Sequence, residues 1–347
     1  MKKILKLGMI GIMSAFYLLA VYYSGLAGKG AGTVTVLLDG QPLNEKAASE
    51  ICTREGEQEI SLSACFWKEQ KDMEFSCKET GSSSIGTMTV TEGNPDLVVQ
   101  GTSSLVWQEN GCFIDTKMAE ELFGTEQASG QTIWCSGKSY VVCGTFESIT
   151  KSMIRQINGE DKEILNTLSL YSPNSGTAKN DGEQFLMRYG LSGDVIEFQF
   201  LNALVSDLLL VLPAMLFIAL AWMVLRGGMQ QNCEKHPLKA EESGEGKMQL
   251  GKAGVDIGTV AGQVILLAAL AAALAWLLWS KLVIPPDMIP TKWSDFSFWT
   301  SWWKGQRQNL LCILGTAQGE AQLSMIWNLL LAFICNLCAV FSGILVL

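Results

Sequence analysis

Residues 204–225 read LVSDLLLVLPAMLFIALAWMVL, 22 positions with one charge, Asp207. A helix needs about 20 consecutive apolar residues to cross the ~30 Å hydrocarbon core of a bilayer. The run is continuous rather than alternating, so in lipid its backbone is satisfied only as a helix. Three further stretches have the same character: 7–27, 257–280 and 321–347. Between the first and the second lies a polar block, residues 28–200. The layout predicts an N-terminal transmembrane helix (1–27), a water-facing domain (28–200) and a membrane domain (201–347) with three more helices. A cleavable signal peptide ending at Ala27 is the rival reading of the first helix. The length of its apolar run, with Tyr17, Tyr22 and Tyr23, favours a retained anchor.

Charge is unevenly placed. The chain of 347 residues is 48% hydrophobic with net charge −9. Residues 28–200 hold 13 Lys and Arg against 25 Asp and Glu, so the rest is slightly basic. An acidic surface argues against nucleic acid and against docking on anionic headgroups. Lys2, Lys3 and Lys6 precede the first helix, and Arg226, Lys235, Lys239, Lys247 and Lys252 follow the second. The positive-inside rule then puts both termini and the 226–256 loop in the cytoplasm, and the 28–200 domain outside a multi-pass cell-membrane protein.

Inside that domain, Thr33–Leu38 alternates as a strand ended by Asp39-Gly40, and 42–54 has helical spacing behind Pro42. Gln58–Lys68 and Met73–Lys78 are expected to pair as strands, with Gly86–Thr91 and Leu97–Val99 continuing the sheet. Cys112–Ile114 leads into a short helix, capped by Asp115 and stopped by Gly124. Gln131–Cys135 and Tyr140–Phe146 flank a hairpin turn at Ser136-Gly137-Lys138. Leu165–Tyr171 is a strand and Asp181–Leu191 a helix. The fold class is an α+β extracytoplasmic domain, a mixed sheet with short helices, inserted between helices 1 and 2 of a four-helix transmembrane bundle.

Six cysteines fall in the outer domain: Cys52, Cys65, Cys77, Cys112, Cys135 and Cys143. In an oxidising compartment they allow up to three disulfides, in any of fifteen pairings. Cys335 and Cys338 have CxxC spacing but lie in an apolar span, where they read as small filler. Gly254, Gly258 and Gly262 recur every four residues on one face, as in a close helix–helix contact. Trp293, Trp299, Trp302 and Trp303 crowd one loop and suit the membrane interface. Pro213 should kink the second span. Asn328 and Asn336 share a face of the last span and suit interhelical hydrogen bonds. No phosphate-binding P-loop is present, and His236 is the only histidine, so P-loop hydrolysis, histidine triads and multi-histidine zinc sites are excluded. The chain is expected to be no enzyme, with no cofactor and no metal.

The run NGCFIDTKMAEELFGTEQASGQTI (110–133), followed by YVVCGTF (140–146), resembles the periplasmic core domain of MacB-type ABC transporter permeases. The order of one helix, a large outer domain and three closing helices resembles the plan of MacB- and FtsX-like permeases. The resemblance implies a permease-type subunit that binds a separate ATPase and relays motion to the outer domain, for export or envelope regulation. It implies the lipid bilayer, that ATPase and a second permease chain, like or unlike, as partners. Arg226–Asp256 lacks the sequence motif of the short cytoplasmic helix with which the family seats its ATPase. The alternative is therefore a membrane-anchored extracytoplasmic binding or sensor protein that has lost ATPase coupling.

Overall fold

Alternation of apolar side chains builds the domain outside the spans. Phe66, Ile114 and Met153 enter one buried cluster, while their neighbours Trp67, Phe113 and Ile154 enter a second. Successive strand residues point to opposite faces, so a sheet with both faces covered reads as a run of apolar residues. The computed structural model describes residues 2–39, 43–59, 61–102, 110–158, 163–219, 221–223, 288–290, 292, 294, 296–315 and 319–346, with isolated positions between 262 and 279.

The elements are α1 (Lys2–Gly28), β1 (Thr33–Leu38), α2 (Glu45–Gly56), β2 (Ser63–Ser76), β3 (Ser83–Gly93), a 3₁₀ turn (Pro95–Leu97), β4 (Gly111–Asp115), α3 (Thr116–Phe123), β5 (Thr132–Cys135) and β6 (Lys138–Phe146). They continue with β7 (Ser152–Gln156), β8 (Thr167–Tyr171), α4 (Ala178–Tyr189), β9 (Gly193–Glu197), α5 (Gln199–Leu208), α6 (Phe296–Gly315) and α7 (Glu320–Val346). Among the described residues nine strands lie in the order β3-β7-β4-β6-β5-β2-β8-β1-β9, and β3 also pairs with β2. That pairing closes six strands into a ring, from which β8, β1 and β9 extend as an open flap. Strand β2 serves both parts. Its start pairs with β8 and its end with β5, and a bulge between Gln70 and Met73 bends it.

Local signals place several elements. Asp115 caps α3 by accepting from the Met118 N–H at 3.2 Å, and Gly124 ends it with φ 70°. The β5–β6 turn has positive φ at both Ser136 and Gly137, as a tight hairpin requires. Other expectations change. Residues 63–76 form one long strand paired with β3, not two strands paired with each other. Helix α2 starts after Asn44, whose side chain accepts from Ala47 N–H, and Pro42 lies outside the described residues. Leu97 ends a 3₁₀ turn rather than starting a strand.

The chain forms two compact units. One comprises Tyr23–Ala203 with Ile284–Leu330, so it takes in α6 and the start of α7 as well as the polar block. The other comprises Met1–Tyr22, Leu204–Val283 and Leu331–Leu347. Among the described residues three helices are long and apolar enough to cross a membrane: Leu7–Gly28, Gln199–Met223 and Glu320–Leu345. Most of the expected span 257–280, including Gly258, lies outside the described residues, as do Gly254 and the 226–256 loop with His236.

Within the membrane unit, Met13, Leu212 and Ala339 form a small core with Phe16, Tyr17, Leu216 and Val340. Helix α5 is interrupted at Leu209–Leu210 and resumes at 211–219. Pro213 has no N–H for the Leu209 carbonyl four residues back. The Tyr17 hydroxyl donates to that carbonyl at 3.3 Å, and Asn336 Nδ2 donates to the Leu208 carbonyl at 2.8 Å. The interruption lies within about one turn of Pro213, where a kink is expected, and two other helices supply side-chain donors there.

Candidate functional site

The first turn of α7 enters the sheet-bearing unit through three consecutive residues. Ala321 N–H donates to the Val98 carbonyl at 2.8 Å, which gives an otherwise unpaired N-terminal amide a partner. Gln322 is 2% exposed. Its Nε2 donates to the Leu97 carbonyl at 3.3 Å and to Ser169 Oγ at 3.2 Å. Ser169 Oγ also accepts from Trp67 Nε1 at 2.9 Å. Glu320 Oε1 accepts from Thr150 Oγ1 and, at 3.5 Å, from Ser152 Oγ. One helical turn is therefore held by the 3₁₀ turn, by β8, by β2 through Ser169, and by the segment that opens β7.

Close backbone approach makes the socket tight. A Cβ on Gly319 would lie 2.5 Å from Gln322 Oε1 and 3.1 Å from Val98 Cγ1. A Cβ on Gly30, in the turn from α1 to β1, would lie 2.9 Å from Met325 Sδ. Burial pushes the Glu69 carboxyl above its ordinary range; the charge of Glu320 adds to this, and Lys71 opposes it.

Strand β9 runs into α5 through Phe198 alone, and β1 follows α1 after a four-residue turn. The two strands are neighbours. At their edge, Asn309 of α6 accepts from Glu197 N–H at 3.2 Å and donates to Glu197 C=O at 2.8 Å. The side-chain amide thus stands where a tenth strand would place a peptide group.

The residues singled out from sequence are dispersed. Trp302 is buried edge-on against Phe200, with ring centroids 5.2 Å apart; Trp299 is half-buried, Trp303 is exposed, and Trp293 lies outside the described residues. Cys52, Cys65, Cys77, Cys112, Cys135 and Cys143 are free thiols. Burial pushes Cys52 up to about 12, with Glu92 and Glu55 adding to it. Gly262 is helical, with open space where a Cβ would stand. Among the described residues no three His, Cys, Asp or Glu side chains converge as a metal site. Sequence reasoning missed Gln322, Ser169, Trp67 and Asn309. A glutamine in the first turn of an apolar span was the one available signal.

No family model matches the chain, and no curated protein matches it. Among solved structures, it is similar to the extracellular domain of the noncanonical ABC-type transporter YknZ from Gram-positive bacteria. That match has 14% identity and TM-score 0.35, over 47% of this chain and 97% of that one. The periplasmic region of MacB from Actinobacillus actinomycetemcomitans matches at 10% identity and TM-score 0.37, over 48% and 89%. A domain of a putative permease from Porphyromonas gingivalis matches at 10% identity and TM-score 0.30, over 46% and 85%.

Proposed function

We propose that the chain is the permease-type transmembrane subunit of an ABC transporter, relaying motion between a separate ATPase and its extracytoplasmic domain for export or envelope regulation. The observation that carries this is the socket of α7. A long apolar helix enters the sheet-bearing unit by hydrogen bonds from three successive residues, Glu320, Ala321 and Gln322. Displacement of that helix along its axis must move β8 and the 3₁₀ turn or break buried bonds, and a buried polar group left unpaired is costly. Connections from α1 to β1 and from β9 to α5 add two short covalent links to neighbouring strands. The sequence resemblance at 110–146 supports the same reading.

In this reading both termini and the 226–256 loop are cytoplasmic, and the loop seats the ATPase. The glycine face Gly254, Gly258 and Gly262 packs against a neighbouring helix, in this chain or in a second permease. The outer domain uses its core for rigidity rather than chemistry, so the chain is no enzyme. The absence of a family-type coupling motif in 226–256 favours a second reading, a membrane-anchored binding or sensor protein without an ATPase.

Purification of the tagged full chain from native membranes separates the two. A P-loop ATPase should co-purify with the wild type and be lost when 226–256 is deleted. Trapping with ATP and vanadate should change amide exchange in β8 and in the 3₁₀ turn. The Glu320→Ala/Gln322→Ala pair should abolish that change while leaving co-purification intact. Recovery of the chain without any ATPase would sink the relay and leave the tethered sensor.

A further inference from the structure

Strand β9 is the outer edge of the open flap. Its register pairs Val34 with Glu197, Val36 with Val195 and Leu38 with Gly193. Asp39 N–H donates to the Ser192 carbonyl, which sets the phase of the ladder. Antiparallel residues alternate between bonding toward the partner and away from it. Gly193, Val195 and Glu197 therefore turn their N–H and C=O groups away from β1. Asn309 takes both groups of Glu197. Those of Val195 have no partner among the described residues, and they face a cleft.

That cleft, about 900 Å³ between β9, α4 and α6, has the volume of a ligand site. Trp302, Gln306 and Asn309 recur at helical spacing, so one face of α6 meets the strand edge. Trp302 Nε1 and Gln306 Oε1 have no hydrogen-bond partner among the described residues, although each residue is only 9% exposed. A buried donor and a buried acceptor left unpaired are rare in folded proteins. The cleft is also acidic. Glu183 and Asp194 line it, and the lining Lys179 stands 3.6 Å from Glu197.

We infer that this cleft binds an extended peptide with basic side chains, added to the β9 edge beyond the point that Asn309 occupies. A peptide backbone offers alternating N–H and C=O groups, which are what Val195, Gln306 Oε1 and Trp302 Nε1 need. Phosphate headgroups offer acceptors only, and the carboxylates repel them. Asn309 caps one end of the edge and sets where the added strand stops. Binding here is independent of the ATPase relay proposed above, since it requires only the cleft.

The test uses the full chain in phosphatidylcholine nanodiscs and fluorescein-labelled acetyl-Lys-Val-Lys-Val-Lys-Val-amide, read by anisotropy against empty nanodiscs. Two isomers of the peptide carry backbone N-methyl groups, on the lysines in one and on the valines in the other, so each blocks one edge of the strand. The parent peptide should bind saturably. One isomer alone should bind about tenfold more weakly, because loss of hydrogen bonds on the reading edge costs that order. Val195→Pro removes an outward N–H without touching the β1 ladder, and should weaken the parent similarly. Gln306→Leu, which removes a buried polar group and holds the test if Val195→Pro fails to fold, should weaken it several-fold. Absence of saturable binding, equal binding of both isomers, or an unchanged curve with Gln306→Leu would each overturn the inference.

Discussion

Asp115 shows how one residue carries both a fold signal and a pH signal. Its carboxylate caps α3, yet the side chain is fully buried. Burial pushes the carboxyl above its ordinary 3.8, and hydrogen bonds from the helix start only partly offset this. The folded state then holds the proton more tightly than the unfolded state between 3.8 and the raised value. Stability contributed by this group therefore climbs as pH falls through the raised value, and levels off below the ordinary one. Asn caps a helix about as well as Asp. Asp115→Asn should thus leave stability near pH 7 within about 1 kcal/mol, while the difference between variant and wild type shifts against the variant in acid. Urea unfolding of the full chain in detergent at several pH values reads this directly; a difference independent of pH would refute it. Glu55, 1% exposed, is a buried carboxylate paired with Arg188. It accepts from Arg188 at 2.8 and 3.0 Å, from Tyr189 at 2.7 Å and from Leu62 N–H at 3.1 Å. Arg188→Met should cost about 2 kcal/mol, since it strips the counter-charge from a buried carboxylate whose other bonds remain. The same unfolding measurement checks it, with a cost under half that figure counting against the bridge.

At the scale of elements, legibility follows from how local the cause is. The Asp115 cap, the Gly124 stop, the Ser136-Gly137 turn and the alternation of β1 and β6 act within a few residues, and they could be read from the chain. Strand β7 could not. Its Arg155 looks like an exposed charge, but it is 2% exposed and bonds Glu163 at 2.7 Å. Strand β9, GDVIE, is short and opens with glycine and a charge, and its identity comes from the pairing with β1. Helix α6 carries Gln306 and Asn309 on the same face as the buried Trp302, so its inward face does not read as an apolar stripe. The socket depends on partners such as Ser169, 153 residues from Gln322, so no local pattern could announce it. The α5 break was half legible: Pro213 was plain, but its compensation by Tyr17 was not. A double-mutant cycle isolates that compensation. Tyr17→Phe should cost about 0.6 kcal/mol, the usual worth of an intramembrane hydrogen bond. In a Pro213→Ala background, where residue 213 regains an N–H for the Leu209 carbonyl, the same change should cost close to nothing. Equal costs in both backgrounds would mean that the hydroxyl serves some purpose other than this carbonyl.

For the molecule as a whole, the boundary of the compact unit is the consequential difference. The polar block 28–200 is continuous in sequence, but the compact unit that contains it also takes in Ile284–Leu330. Those added residues supply Asn309 to the β9 edge, Trp302 to Phe200, Ala321 to Val98 and Gln322 to the buried Ser169. A fragment of residues 28–203 therefore lacks the cover for its outer strand and for the second apolar cluster around Trp67, Leu97 and Phe113. An uncovered edge strand is a template for pairing with another chain. The fragment should self-associate, and light scattering after size exclusion should find dimers or larger species growing with concentration. Adding residues 296–330 through a flexible Gly/Ser linker should return it to a monomer and raise its unfolding midpoint by several degrees, as about 1–2 kcal/mol does in a domain of this size. Lys residues placed at Gly193 and Val195 would not substitute for the missing segment, since they leave the Leu97 and Val98 carbonyls unpaired. A monomeric 28–203 fragment as stable as the linked form would mean that α6 and the first turn of α7 merely rest on the sheet, and the socket would then transmit no force.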